Sequence, residues 1–157
     1  MKKTAIATLI LLAVPAAAFA MDNSAMQPKM MKWSAAPPGL PPGAQITVLA
    51  GDPGSNGPYV LRAKMPAGYK IPAHTHPTDE NVTVISGTLH VGMGDRLDPK
   101  KGDTLRDGAF VNVGKDMQHY AWTTAPTIIQ VHGLGPFEIN YVNPTDDPRN
   151  ANAEQRK

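Results

Sequence analysis

The chain has 157 residues, 41% of them hydrophobic and 18% charged, which is enough for one domain with a real core and too little for two. Fifteen basic residues against thirteen acidic ones leave no basic stripe to hold a phosphate backbone or an anionic membrane, so nucleic acid is not an expected partner. Cysteine is absent, which excludes disulfides and thiol chemistry and leaves any reaction to His, carboxylates, hydroxyls or a metal.

The chain opens Met1-Lys2-Lys3, continues with an apolar run from Ala5 to Val14, and reaches Pro15 and then Ala18-Phe19-Ala20. That is a positive n-region, a short h-region and an A-x-A cleavage site. A membrane anchor needs about 20 uninterrupted apolar residues, and Pro15 closes the run well before that length. We therefore expect a cleavable signal peptide over 1–20, cut after Ala20, and a periplasmic or secreted mature protein that is not inserted in the membrane. Losing Lys2 and Lys3 leaves 13 basic against 13 acidic residues, so the mature domain is nearly neutral.

From Met21 to Gly43 the chain is rich in Pro and Met, and Pro37-Pro38 and Pro41-Pro42 close it. This reads as an extended arm leading into the domain. Met21, Met26, Met30 and Met31 fall here, and clustered thioethers suit Cu(I). Their spacing does not repeat, and adaptable apolar packing on the barrel or on a partner subunit is the favoured reading.

From Ala44 onward, short β-rich runs alternate with turn clusters. Gln45 to Leu49 and Tyr59 to Met65 flank a loop over Gly51 to Gly57. Val82 to Ile85 and Leu89 to Met93 flank Ser86-Gly87-Thr88, a tight hairpin connection. Further runs are Ala109 to Val113, His119 to Thr123, Thr127 to His132 and Phe137 to Val142. Seven or more closely spaced strands with no amphipathic helix between them indicate an all-β sandwich or jelly-roll barrel over 44–143. The polar segment over 144–157 has no periodicity and is expected to fray from Thr145 onward.

The chemistry concentrates between Gly68 and Gly87. On a strand, His74 and His76 share a face, because side chains two apart point the same way. Pro77 forces a turn, and Glu80 opens the next strand with the parity of the apolar Val82 and Val84, hence toward the interior. Two imidazoles and a carboxylate suit a borderline divalent ion. A fourth ligand is sought on a later strand, and His119 is the best candidate: Ala121 and Thr123 share its parity and leave space beside it, while Tyr120 and Trp122 face elsewhere. His90 has the parity opposite to Leu89, Val91 and Met93, which makes it an outward, solvated residue. Gln130 and His132 share a face with Ile128, opposite Ile129 and Val131, and periodicity leaves open which face is buried.

The stretch Gly68 to Gly87 resembles the first motif of the cupin family, G-x5-H-x-H-x3-E-x6-G, at every fixed position. The second motif, G-x5-P-x-G-x2-H-x3-N, is met by Gly108 and His119, with Gly114, Asp116 and Thr123 in place of its Pro, Gly and Asn. The resemblance covers roughly Ile46 to Val142. It implies a cupin-type double-stranded β-helix of six to eight strands, often dimeric, with a metal in the barrel mouth on His74, His76, Glu80 and His119.

Four protein ligands on an ion that accepts five or six leave positions open for water, dioxygen or a chelating substrate. The expectation is a metal-dependent enzyme of oxygenase, lyase or isomerase type acting on a small oxygenated or carbonyl-bearing molecule. The alternative is a non-catalytic small-ligand or metal-binding module. Fe, Mn, Ni, Cu and Zn all suit the donor set. Tyr69, Lys70 and Trp122 are candidates for bordering the pocket, with no role assigned.

Overall fold

The structure, a computed structural model, describes residues 25–150; the expected signal peptide and Met21 lie outside the described residues. The described strands are β1 (Ser34–Ala35), β2 (Gln45–Ala50), β3 (Pro58–Met65), β4 (Lys70–Thr75), β5 (Glu80–Ser86) and β6 (Thr88–Met93). They continue with β7 (Asp103–Arg106), β8 (Phe110–Val113), β9 (His119–Thr123), β10 (Thr127–Leu134) and β11 (Asn140–Tyr141). All pair antiparallel, in a six-stranded sheet of order β1-β2-β3-β10-β5-β8 and a five-stranded sheet of order β11-β4-β9-β6-β7. The fold is the all-β cupin-type jelly roll that the sequence led us to expect.

Strand β3 shows why the sheets face each other. Tyr59, Leu61, Ala63 and Met65 are buried while Val60, Arg62 and Lys64 are half-exposed, the two-residue period of a pleated strand with one face in the core. Leu61, Met65, Val82 and Val84 from the first sheet meet Leu89, Val91 and Ala121 from the second in one cluster. Each large aliphatic side chain so buried contributes about 1.5–3 kcal/mol. The second sheet is also covered outside, where Ala73, Tyr120 and Trp122 pack with Leu97 and Val142. All five residues of β9 are therefore buried.

Two connections hold this arrangement. The β5–β6 hairpin turns at Gly87, which has φ of 96°, and a Cβ there would run into the Pro126 carbonyl, so any other residue is both strained and blocked. The arm folds back on the barrel, with β1 on the edge of β2. The Lys64 ammonium lies 4.6 Å from the Trp33 ring centre, an arrangement stabilised by the ring quadrupole. The Tyr69 and Tyr141 hydroxyls donate to the carbonyls of Pro41 and Gly39.

Some expectations change in detail. Strands β1 and β7 were not anticipated, because β1 is two residues long and the Asp-Thr-Leu-Arg stretch of β7 lies on a sheet edge with little burial. The run Phe137 to Val142 narrows to β11. Met26 and Met30 are exposed and so do not anchor the arm on the barrel, whereas the Met31 sulfur accepts from the Arg62 guanidinium at 3.8 Å. The expected fraying is corrected for 145–150: Pro144–Asp146 forms a 3-10 turn capped by the Asn143 side chain, and Arg149 pairs with Asp147 and donates to the Ile139 carbonyl. Among the described residues no helix is long and apolar enough to cross a membrane.

Candidate metal centre

The four expected ligands come from both sheets and meet between them. His74 lies on β4, His76 directly follows it, Glu80 opens β5 in the opposite sheet, and His119 opens β9. His74 and His119 are direct cross-strand partners, and their ring centres are 4.1 Å apart. The ligand nitrogens of His74, His76 and His119 lie within 4.8 Å of one another, and all three residues are buried. Glu80 Oε2 is 3.5 Å from Nε2 of both His76 and His119.

Simple alternation from Tyr69 and Ile71 along β4 would turn His74 outward, yet it faces in. The pairing with β9 supplies the reason: Ile71 lies opposite Ala121 and His74 opposite His119, so β4 carries one extra residue. This β-bulge lies at Pro72 and Ala73. Pro72 has no N–H to lose from a ladder, and Ala73 turns to the outer cluster against Tyr120 and Trp122. Bulges re-aim side chains next to functional sites in this way. The turn before His119 is held by Asp116, the one non-glycine residue at positive φ among the described residues, at 59°. It stands where the motif places Gly, and Asp tolerates the left-handed region better than most residues. Its N–H donates to the His76 carbonyl at 2.9 Å, which ties the two motifs together.

Backbone carbonyls set the tautomer of all three imidazoles. Nδ1 of His74, His76 and His119 lies 2.7, 2.6 and 3.0 Å from the carbonyls of Pro72, Glu138 and Met117. A carbonyl only accepts, so each Nδ1 carries a proton and each neutral ring presents the Nε2 lone pair. Metal-binding imidazoles are oriented by such contacts. The buried His76 Nε2 has no hydrogen-bond partner among the described residues. Lone pairs of imidazole and carboxylate facing each other at 3.5 Å repel unless a cation lies between them.

The titration directions agree with this geometry. Burial, reinforced by neighbouring His119 and His76, pushes the His74 pKa down to about 3 and keeps the ring neutral. For His76 burial acts the same way, but the adjacent Glu80 carboxylate outweighs it and raises the pKa. Burial alone would raise the Glu80 carboxyl; the neighbouring His119 and His76 reverse this and hold it well below the usual carboxylate range. Glu80 thus stays ionised and able to hold a cation. The donor set fits a divalent ion: three Nε2 atoms positioned to hold it, with an anionic oxygen beside them.

A cavity of about 360 Å³ opens from this cluster. His74, His76 and Glu80 form one end of it; Leu61, Ala63 and Met65 of β3 and Ile129 and Val131 of β10 form its wall. Pro37 and Leu40 of the arm and Phe137 also line it. These three carried no signal in the sequence, since a wall from distant segments has no local pattern. Phe137 stacks on His76 at 4.9 Å between ring centres. The buried Tyr59 hydroxyl has no hydrogen-bond partner among the described residues, and burial, with a contribution from the Glu80 charge, raises its pKa so that it stays protonated.

The remaining expectations sort cleanly. Tyr69 lines the cavity, Lys70 is exposed, and Trp122 packs on the outer face. His90 is on the outer face too, but it is stacked on Trp122 at 4.8 Å and bonded to Thr104 and Thr124. The face of β10 that turns inward carries Ile129 and Val131, so Gln130 and His132 point away from the site, and Gln130 accepts from Arg62 at 3.1 Å.

Comparison with known proteins agrees with the fold. The polyketide cyclase RemF from Streptomyces resistomycificus superposes with a TM-score of 0.65 at 14% identity, over 83% of this chain and 93% of that one. A protein of Methylibium petroleiphilum PM1 to which acetylacetone dioxygenase activity is ascribed gives 0.62 at 18% identity, over 82% and 86%. An RmlC-like cupin from Shewanella frigidimarina gives 0.55 at 15% identity, over 69% and 87%. At these identities the likeness is one of fold. No curated protein matches by sequence. The model of the ChrR cupin-like domain matches residues 21–138, and with the jelly roll and the histidine cluster in place the chain belongs to that cupin family.

Proposed function

We propose that the mature protein is an exported metal-dependent enzyme in which His74, His76, Glu80 and His119 hold one divalent ion, Fe, Mn, Ni, Cu or Zn. The ion supplies Lewis acidity or oxygen activation toward a small oxygenated or carbonyl-bearing molecule, in an oxygenase, lyase or isomerase reaction. The observation that carries this reading is the convergence of three oriented imidazoles and one ionised carboxylate beside an apolar cavity that His74, His76 and Glu80 line. A purely structural ion has no use for a chamber beside it, whereas a working ion needs open positions and room for a reactant.

The chain's own residues do the positioning. The carbonyls of Pro72, Glu138 and Met117 fix the three rings, which lowers the cost of assembling the site. Glu80 would offset part of the ion's charge, an attraction that the surrounding apolar wall strengthens. Export rests on the pattern of residues 1–20. The fold likeness to a named cyclase and a named dioxygenase supports small-molecule chemistry.

A second reading, a non-catalytic ligand-binding module, is favoured by one observation: apart from the ligand cluster and Tyr69, no described lining residue offers a polar side chain for proton transfer. The test is the metal content of the purified mature protein by elemental mass spectrometry, with and without Glu80→Ala, followed by turnover assays with the reconstituted ion. Near-stoichiometric metal that falls in the variant, with product formed only by the loaded protein, supports the enzyme. Saturable binding without product supports the module, and no metal after reconstitution removes the metal-dependent enzyme and leaves a ligand-binding or structural role.

A further inference from the structure

The wall of the cavity narrows the class of molecule it accepts. Every described residue lining it beyond the ligand end is apolar or glycine except Tyr69; no Lys, Arg, Asp, Ser, Thr, Asn or Gln is among them. The Tyr69 hydroxyl is already spent on the Pro41 carbonyl. The Nδ1 atoms of His74 and His76 are likewise spent on carbonyls. A sugar, polyol or phosphate entering here would leave water and find no replacement partners, a penalty of several kcal/mol for each unpaired polar group. An apolar body gains on entry instead.

From this wall, and resting on the metal-dependent reading above, we infer that the site takes an apolar molecule of on the order of ten non-hydrogen atoms, polar only at the end that meets the ion. The size follows from the cavity of about 360 Å³ and the ~30 Å³ that a water-sized group occupies. Ala63 lies between Leu61 and Met65 on the inward face of β3 and is the smallest of the three side chains in that wall. Leu40 of the arm also lines the cavity, in a segment held by the Tyr69 and Tyr141 hydroxyls. The arm is thus part of the specificity wall.

The test uses the mature full-length protein, metal-loaded and EDTA-treated, and titrates it calorimetrically with 2-heptanone and with dihydroxyacetone. Both carry a carbonyl, but only the first has an apolar body. The expected result is 2-heptanone binding at least tenfold tighter in both forms. It should weaken at least fivefold in Ala63→Phe, which fills the chamber, with metal content unchanged. Leu40→Ser, at the half-exposed arm, should weaken it as well and serves if Ala63→Phe does not fold. Equal or tighter binding of dihydroxyacetone, or 2-heptanone binding that neither variant alters, overturns the inference. Metal uptake with no 2-heptanone binding overturns the ligand class and leaves the metal reading standing; 2-heptanone binding without metal uptake does the reverse.

Discussion

The two segments that build the candidate metal centre reach the same end by different local devices. The first, Gly68 to Gly87, delivers His74, His76 and Glu80 and crosses from one sheet to the other, with a bulge at Pro72 and Ala73 turning His74 inward. The second, Gly108 to Thr123, delivers His119 alone and relies on a turn in which Asp116 takes the left-handed conformation. The first keeps every fixed residue of its motif and the second does not, yet His74 and His119 face each other across one pair of strands. Spacing and backbone hydrogen bonds have preserved the geometry where the residue types changed. A motif is a record of backbone requirements, and a different residue that meets the same requirement leaves the site intact.

The largest effect tests whether the two segments contribute equally. His76→Ala and His119→Ala should each lower metal affinity by about 100-fold or more, since each removes one of few donors from a site tuned by its surroundings. His90→Ala, on the outer face, should leave metal content unchanged by elemental mass spectrometry. A loss confined to His76→Ala would break the equivalence and reduce His119 to packing.

Next in size is a pH effect on the metal-free protein. His74 is held neutral down to about 3, while in the unfolded chain it takes a proton near pH 6.5. The unfolded state therefore binds more protons in that window, and stability falls as pH drops below about 6.5, by about 1.4 kcal/mol per unit. His76 does not offset this: its raised pKa contributes stability fully present below the unfolded value and lost only as pH rises through the folded one. Glu80, with its lowered pKa, adds a loss only below about pH 4.3. Urea unfolding of EDTA-treated protein at pH 6.5 and 5 should show the drop, and His74→Gln should flatten it.

The bulge gives a comparable effect through packing. Ala73 is 2% exposed against Tyr120 and Trp122, so Ala73→Leu should destabilise by about 1–3 kcal/mol and weaken metal binding by disturbing His74. A stability loss with unaltered metal affinity would show that the bulge serves the fold and not the site. The smallest effect concerns the second segment. Asp116→Ala should cost about 1 kcal/mol in thermal or urea unfolding, because alanine pays more in the left-handed region. Asp116→Gly should be neutral or stabilising there. If both behave alike, the turn is not what holds His119.

How far the sequence reaches can be judged from particular residues. Alternation placed Val82 and Val84 toward the interior with Glu80, and His90 on the outside, and the structure agrees. The same reasoning placed His74 and His76 together, but it did not reveal that Ile71 also faces in, which requires the bulge. Gln130 and His132 were undecidable, since a period of two tells which residues share a face and not which face is covered. Only the pairing of β10 with β3 and β5, and the packing of Ile129 and Val131 into the core, turned them outward.

Sequence by itself determined the all-β class and the strand positions over most of the barrel, and it singled out His74, His76, Glu80 and His119 as candidate ligands, because these depend on local periodicity and on spacing along the strands. The expectation of export rests on residues 1–20 alone. Tertiary structure decided the rest: the ring tautomers through the carbonyls of Pro72, Glu138 and Met117, the cavity with its wall from β3, β10 and the arm, and the anchoring of residues 145–150. Those features are contacts between segments far apart in the chain, and no local pattern encodes a surface that exists only when the sheets close on each other.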